Sequence, residues 1–473
     1  MKHIILTLLV TWPLAMAAQT PILVKTFPNP TPGTGDYFSW SVAALGSDRV
    51  LIGAISDDNT ATNAGIAYLF HTNGTLLTTF TNPSPAYVLP LDPEPELGDW
   101  FGYAIAPLGT DRVLVGAPYN EGEFCCAYSG TVYVFNTNGT LETTIHNPNY
   151  GNNEFGTSVA DLGFGRIIIS APRAGPDPEY PYGEVYLMDT NGALLATFYN
   201  PHEQILDEFG FSTAAFGTDR VLVGSRSRSL GFASLFNTNG TLLMTFTNPA
   251  PASGDYFGHA VAAIGTDRVA IGAPLEDRGA TDTGAVYIFN TNGTLLTTIT
   301  NPTPAAGDYF GFQIVVLGND RLVITAPRDK ATGFVSGTAY VMDLNGDLLA
   351  TINNPTPATG DGFGWTMAPF GSEGVIIGAP FDDAGANNAG SAYLFSIPAP
   401  PTPPSLTIQR TATNTVVVSW PSPSTGFGLQ QNTNGVSSTN WSNVTNTIQD
   451  DGTTKSIGVS PTLGSRIYRL FKP

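Results

Sequence analysis

A short apolar motif recurs seven times along this chain at nearly constant spacing. Phe-Gly marks six copies of the repeat and a Phe-Ser variant marks the first, so that the seven aromatic residues are Phe38, Phe101, Phe155, Phe209, Phe257, Phe310 and Phe363. Successive members are 63, 54, 54, 48, 53 and 53 positions apart. A repeat of this length is typical of β-propellers and solenoids, in which each copy is one supersecondary unit.

Each copy contains four short strand patterns. In the fifth copy, residues 259–272 form one predicted hairpin around Gly265, and residues 285–300 form a second around Asn292-Gly293. Asn-Gly is favoured in type I′ turns, because both central residues need positive φ. Four strands of five or six residues make one propeller blade. The sequence therefore predicts an all-β fold dominated by a seven-bladed β-propeller.

The seventh copy stops after Ile397 without a fourth strand pattern. A matching pattern, Ile22 to Phe27 followed by Pro28-Asn29-Pro30, precedes the first copy. We expect this N-terminal strand to pair with Ala392 to Phe395 and close the ring, which would cover two strand edges that otherwise invite aggregation.

Four segments are predicted along the chain. Residues 1–17 combine a basic start, a short apolar run and an Ala-Met-Ala ending, as in a secretory signal peptide. The propeller spans 18–397, and a proline-rich linker spans 398–405. Residues 406–473 contain five short strand patterns, which predict a small β-sandwich. We expect a secreted or cell-surface protein, extracellular or periplasmic, with no transmembrane segment in the mature chain.

Charge and cysteine content narrow the possible partners and compartments. The 473 residues carry a net charge of −19, which repels polyphosphate and argues against nucleic acid as a partner. Cys125 and Cys126 are the only cysteines. Adjacent Cα atoms lie closer than disulfides usually allow, so a strained vicinal disulfide and two free thiols both stay open. Neither alternative supplies a disulfide framework.

Gly-Ala-Pro follows Phe-Gly at Gly116, Gly272 and Gly378. With this tripeptide the chain resembles the FG-GAP repeats of integrin α-subunit propellers and their bacterial secreted relatives. Many members of that family carry a calcium loop with several carboxylates between the first two strands. Here the corresponding turns, such as Gly109-Thr110-Asp111, hold one carboxylate, and calcium needs six to eight oxygen ligands. No metal or cofactor is therefore predicted. The tail, with Val416 to Trp420, resembles fibronectin type III or immunoglobulin-like modules.

Two polar positions recur in nearly every copy. Asp or Asn precedes each Phe by two positions, at Asp36, Asp99, Asn153, Asp207, Asp255, Asp308 and Asp361. Arg opens the second strand of six copies, at Arg49, Arg112, Arg166, Arg220, Arg268 and Arg321. Acceptance of a turn N–H explains the first series, and local pairing with a preceding Asp explains the second. Rings that bind cations or anions are the functional alternatives.

Variable loops on a rigid scaffold usually carry recognition, and the loops of copies one to three are the longest and richest in carboxylates and aromatic rings. The candidate ligand-binding residues are Asp92, Glu94, Glu96, Trp100, Tyr119, Glu121, Glu123, Phe124, Tyr128, Asp177, Glu179 and Tyr180. No catalytic residue is predicted, because no triad, HExxH or P-loop pattern is present.

The leading hypothesis is a non-enzymatic extracellular binding or adhesion module for a protein or glycan, with a lectin-like version as its most concrete form. The simpler alternative is that these residues are solvent-exposed side chains of surface loops that bind no ligand. A polysaccharide hydrolase or lyase and a structural cell-surface protein stay open as alternatives.

Overall fold

The computed structural model describes residues 19–58, 62–85, 98–121, 129–149, 151–175, 182–202, 207–227, 229–399, 405–413, 415–424, 427–433, 440–460 and 466–471. Every regular element in these ranges is a β-strand. The chain forms two compact units, one from Ala18 to Pro398 and one in the C-terminal part from Ala399 to Pro473. The predicted signal peptide, Cys125, Cys126 and linker residues 400–404 lie outside the described residues.

The larger unit consists of seven four-stranded antiparallel sheets. The first three are β2 (Phe38–Leu45), β3 (Arg49–Ala54), β4 (Ile66–His71) and β5 (Leu76–Thr81); β6 (Ala104–Leu108), β7 (Arg112–Ala117), β8 (Thr131–Asn136) and β9 (Leu141–His146); and β10 (Val159–Gly163), β11 (Arg166–Ala171), β12 (Glu184–Asp189) and β13 (Leu194–Tyr199).

The next three sheets repeat this order. They are β14 (Phe209–Phe216), β15 (Arg220–Ser225), β16 (Phe232–Asn237) and β17 (Leu242–Thr247); β18 (Ala260–Ile264), β19 (Arg268–Ala273), β20 (Ala285–Asn290) and β21 (Leu295–Thr300); and β22 (Ile314–Leu317), β23 (Arg321–Ala326), β24 (Thr338–Asp343) and β25 (Leu348–Asn353). The seventh contains β26 (Thr366–Phe370), β27 (Gly374–Ala379), β28 (Ser391–Ser396) and β1 (Ile22–Pro28).

The N-terminal strand β1 pairs antiparallel with β28, as the strand pattern predicts. Leu23 lies opposite Phe395, and Phe27 lies opposite Ala392, with one irregularity after Leu23. Phe27 is fully buried and its ring lies 5.5 Å from that of Phe70 in the first sheet. The strand therefore contributes both to the seventh sheet and to the apolar layer between this sheet and the first.

The apolar core lies between neighbouring sheets. Seven clusters of buried residues are present in this unit, and each joins two sheets that follow one another, including the seventh and the first. The first strands of the sheets also contact one another in order, from β2 to β6 and onward to β26, and β26 contacts β2. The second and third strands are almost entirely buried, whereas the fourth has an exposed face. This arrangement is propeller-like.

The recurring Arg side chain joins adjacent sheets. Nη2 of Arg49 donates a 2.7 Å hydrogen bond to the carbonyl of Thr110 in the next sheet, and Arg166, Arg220 and Arg321 make the same kind of contact at 2.6, 3.0 and 3.2 Å. Pairing with the preceding Asp is also present, at 3.5 Å for Arg49. Because exposed pairs of this kind contribute little, the contact with the next sheet is the more important role.

The recurring Asp side chain organises the crossing between sheets, which confirms the structural interpretation. Oδ2 of Asp308 accepts the N–H of Ala305 at 2.6 Å and the amide of Asn301 at 2.8 Å. The Asn oxygen in turn accepts the N–H of Thr303 at 2.9 Å. The backbone contact recurs at Asp36, Asp255 and Asp361. These bonds satisfy the polar backbone of a tight connection.

The Asn-Gly turns differ from the predicted type I′ geometry. Gly293 has φ of 88°, but Asn292 is not among the residues with positive φ. The N–H of Gly293 donates to the carbonyl of Asn290, and the register shifts between Ile288 and Phe289. This is a type I turn followed by a glycine bulge, a three-residue loop that needs positive φ only at glycine.

The C-terminal unit has two small sheets around one core. They contain β29 (Thr407–Arg410), β30 (Val416–Pro421), β33 (Gln449–Asp450) and β34 (Thr454–Val459), and β31 (Gly428–Asn432), β32 (Ser442–Asn443) and β35 (Ile467–Phe471). Trp420 is buried among Val418, Leu429 and Ile457. Each of the five strand patterns predicted in residues 406–473 is present as a strand, and β32 and β33 are additional.

Candidate functional site: an aromatic belt

One aromatic side chain follows nearly every Phe-Gly pair and projects from the start of the first strand. We call these positions the belt: Trp40, Tyr103, Thr157, Phe211, His259, Phe312 and Trp365. The preceding Phe of each copy is fully buried and anchors the chain between sheets. The intervening Gly has φ between 91° and 97°, and Ser39 has 73°, so the backbone turns sharply before the belt residue.

Belt residues from successive copies contact one another. The ring centroids of Phe211 and His259 lie 5.0 Å apart, and those of His259 and Phe312 lie 4.5 Å apart. The series continues from Phe312 to Trp365 at 4.8 Å, from Trp365 to Trp40 at 5.6 Å and from Trp40 to Tyr103 at 5.8 Å. Thr157 of the third copy interrupts it. Six rings therefore form one connected surface, with separations typical of favourable aromatic contacts.

A second layer of side chains comes from the residue before each Phe. These residues are Tyr37, Trp100, Glu154, Glu208, Tyr256, Tyr309 and Gly362. All seven have left-handed backbone, with φ from 47° to 66°. This conformation costs a residue with a side chain about 1–2 kcal/mol, and bulky residues are rare there. In the seventh copy, a Cβ on Gly362 would collide with Phe381, whose ring contacts Trp365 at 5.0 Å.

The aromatic side of this second layer is centred on Trp100. Its ring lies parallel to Tyr103, with centroids 5.8 Å apart and planes 5° apart. Tyr119 meets it edge-on at 4.4 Å, and Trp40 lies 6.4 Å away. All four rings are partly exposed. They form a surface with both apolar faces and polar edges, the combination that Trp and Tyr supply at binding sites.

The third and fourth copies place charges beside the rings. Glu154 accepts from Nε of Arg173 at 2.8 Å and from the hydroxyl of Tyr119 at 3.2 Å. Glu208 accepts from Nη2 of Arg226 at 2.6 Å. The guanidinium of Arg226 also lies 3.8 Å from the centre of the Phe211 ring. This sector therefore carries paired rather than isolated charges.

Burial controls the protonation of groups around the belt. Desolvation raises the pKa of Glu154, although Arg173 lowers it in part. Desolvation, with Glu154 as the next cause, raises the pKa of Tyr103 to about 12, so its hydroxyl keeps its proton. Desolvation and then Arg226 lower the pKa of His259 to about 3. At neutral pH His259 is therefore uncharged, and its buried ring continues the aromatic contacts of the belt.

Three of the twelve predicted loop residues fall within the described chain. Trp100 and Tyr119 pack together as part of the second layer. Glu121 is exposed, and no hydrogen bond or ion pair joins it to another described residue. The other nine lie outside the described residues: Asp92, Glu94, Glu96, Glu123, Phe124, Tyr128, Asp177, Glu179 and Tyr180. No group of three His, Cys, Asp or Glu side chains in the described ranges is placed to hold a metal ion.

Sequence reasoning missed the belt itself. The predicted ligand-binding residues lie in the variable loops, and the residues around Phe-Gly are predicted to be framework. The available signal was the position after each Phe-Gly or Phe-Ser pair, which is aromatic or His in six of seven copies although its neighbours are mostly small. If this position served only the framework, it would not need a ring at the start of the first strand.

Comparison with known families agrees with the repeat pattern. Three stretches of the chain match the FG-GAP repeat. They are residues 32–70, 244–289 and 350–395, which together make up less than a third of the chain. FG-GAP repeats are typical of extracellular proteins. No curated protein matches this chain. Within the described ranges, neither the larger unit nor the C-terminal unit contains a helix with the length and apolarity needed to cross a membrane.

Proposed function

We propose that this chain is an extracellular, non-enzymatic binding or adhesion module, secreted or held at the cell surface. The seven sheets are its blades, the first-to-last contacts and β1 close them into a ring, and the belt encircles the axis. This arrangement is supported by the cyclic order of the sheet contacts. The C-terminal unit, with buried Trp420, serves as an immunoglobulin-like or fibronectin-like spacer or attachment module.

The observation that carries the proposal is the placement of large side chains on unfavourable backbone. Tyr37, Trp100 and Tyr256 all have left-handed φ, where glycine would avoid the cost. The left-handed backbone recurs in all seven copies and belongs to the fold, but the fold does not require a large ring there, as Gly362 shows. Large side chains kept on strained backbone are typical of functional sites. The partly exposed rings next to the belt are therefore the surface that meets a ligand.

Binding is tested on an array that carries both glycans and extracellular proteins. We expect the wild-type protein to bind at least one component of the array. Trp100→Gly should reduce that binding, because it removes the ring and leaves a residue that adopts the left-handed backbone without strain. Tyr199→Ala is the matched control, because Tyr199 is an aromatic residue 64% exposed on the outer strand β13. Binding that persists in Trp100→Gly, or is lost equally in Tyr199→Ala, contradicts the assignment of this site.

A hydrolase or lyase is the second candidate, and Glu154 is the observation in its favour. A carboxylic acid whose pKa is raised by burial is suited to general acid catalysis. Such an enzyme would release products from a bound polysaccharide, and Glu154→Gln would abolish release while leaving binding in place. Under the binding proposal, neither wild type nor variant releases product. A structural surface protein would instead self-assemble without binding any component of the array.

A further inference from the structure

We infer that the belt and its second layer bind an uncharged glycan, with one sugar ring lying on the surface formed by Trp40, Trp100 and Tyr119. This inference rests on the proposed binding function and names its ligand class. The apolar face of a pyranose ring matches the flat face of an indole or phenol ring, and its hydroxyl groups project from the edge. A ligand of this kind needs aromatic faces and hydrogen-bonding groups side by side.

The aromatic part of this requirement is met by the sector from copies one and two. Trp100 and Tyr103 lie parallel, and Tyr119 stands edge-on against Trp100 at 4.4 Å. Trp40 connects this group to Trp365 at 5.6 Å. The neighbouring rings hold Trp40 and Trp100 in place before a ligand arrives. Preorganised rings bind at a lower entropic cost than mobile ones.

The polar part is met by the two ion pairs beside the rings. Among the described residues, both contacts of Glu154 reach Oε1, and both contacts of Arg226 with Glu208 reach Oε2. The other oxygen of each carboxylate is left as an acceptor for a sugar hydroxyl, since a carboxylate has about four lone-pair directions.

The charge balance of this sector favours a neutral ligand over an ionic one. Arg173 already neutralises Glu154, and Arg226 already neutralises Glu208. A cationic ligand seeking an aromatic face would meet Arg226, which already occupies the face of Phe211 at 3.8 Å. An anionic ligand would have to displace a carboxylate from its guanidinium. Hydroxyl groups can bond to both pairs without separating them.

The test uses full-length protein and an array of neutral, acidic and basic oligosaccharides, followed by calorimetric titration of the strongest neutral glycan. We expect neutral glycans to be preferred, and Trp100→Gly to weaken binding about tenfold, the scale of one lost aromatic contact. Tyr119→Phe keeps the ring and should retain most of the affinity, whereas Tyr119→Ala should not. Tyr199→Ala should bind like the wild type.

Three results would overturn the inference. They are a preference for acidic or basic glycans, neutral-glycan binding that is unaffected by both Trp100→Gly and Tyr119→Ala, and binding of no glycan at all. If no glycan binds but an extracellular protein on the mixed array of the binding test does, and Trp100→Gly abolishes that binding, the site and the proposed function stand while the glycan assignment fails. A thermal melt of each variant shows whether the substitution prevents folding. If Trp100→Gly does not fold, the comparison of Tyr119→Phe with Tyr119→Ala tests the same surface.

Discussion

The two residues of the Phe-Gly pair have different structural roles. Phe257 is fully buried between sheets, whereas Gly258 lets two backbones approach each other. A Cβ on Gly258 would collide with the carbonyl oxygen of Phe232 as well as require φ of 93° in a residue with a side chain. Conformation and close packing therefore both select glycine at this position.

A pair of glycine substitutions separates these two effects. Gly254 has the same φ of 93°, but a Cβ there has no atom within 4 Å. Gly254→Ala is expected to cost about 1 kcal/mol from backbone strain alone. Gly258→Ala adds a backbone collision and is expected to lower the free energy of unfolding by about 3 kcal/mol or more. Urea denaturation of both variants measures the difference; equal losses would show that close packing contributes nothing.

Connections between strands carry much of the polar chemistry of the fold. At six of the seven crossings, an Asn and an Asp side chain bond to one another and to the local backbone, as Asn354 and Asp361 do at 2.8 Å. In the third copy Asn153 stands in place of the Asp. The sequence predicts this role, because Asx residues bond to nearby N–H groups. It does not predict how deeply the carboxylates are buried, since that depends on the facing sheet. Likewise, Asn-Gly alone does not distinguish the observed turn with a glycine bulge from type I′.

The buried crossings should make stability depend on pH. Desolvation raises the pKa of Asp308 to about 6, above the usual value for an aspartate. The folded state therefore holds this proton more tightly than the unfolded state, so the associated stability is present below about pH 4 and is lost as pH rises through 6. Between pH 4 and pH 7, the free energy of unfolding of the wild type should fall relative to that of Asp308→Asn.

Asp347→Asn supplies the control for this titration, because Asp347 is exposed in a turn of the same sheet. Its difference from the wild type should change less over the same range. A difference for Asp308→Asn that stays constant from pH 4 to pH 7 would contradict the raised pKa.

The molecule as a whole explains why the repeat could be predicted and the belt could not. The repeat is local: buried Phe, turn residues and strand patterns recur within each stretch of about 50 residues. The belt is assembled from one side chain per copy, so its contacts, such as Trp365 with Trp40, join residues more than 300 positions apart. Only the cyclic order of the sheets brings these rings together. The sequence favours the variable loops as a binding site because these loops differ between copies. The belt residues instead occupy the same position in each copy.

The seventh sheet offers a test of the proposed closed ring. Deleting residues 19–28 removes β1, exposes the edge of β28 and takes Phe27 out of the layer that also contains Phe38 and Phe70. We expect the melting temperature to fall further than in Phe27→Ala alone, because strand pairing is lost together with burial. Leu23→Ala, at a position 43% exposed on the same strand, should melt close to the wild type. A deletion variant that melts like the wild type would exclude the closing role of β1.

The pairing of β1 with β28 also sets an order of events during synthesis. Phe27 leaves the ribosome long before Ala392, its partner on β28. The six intervening sheets can form from strands close in sequence, but the seventh needs its two ends to meet across more than 360 residues. Chain closure over such a distance is slow compared with hairpin formation. A nascent chain should therefore retain an unpaired amino-terminal ribbon, accessible to chaperones and proteases, until its final repeat has emerged.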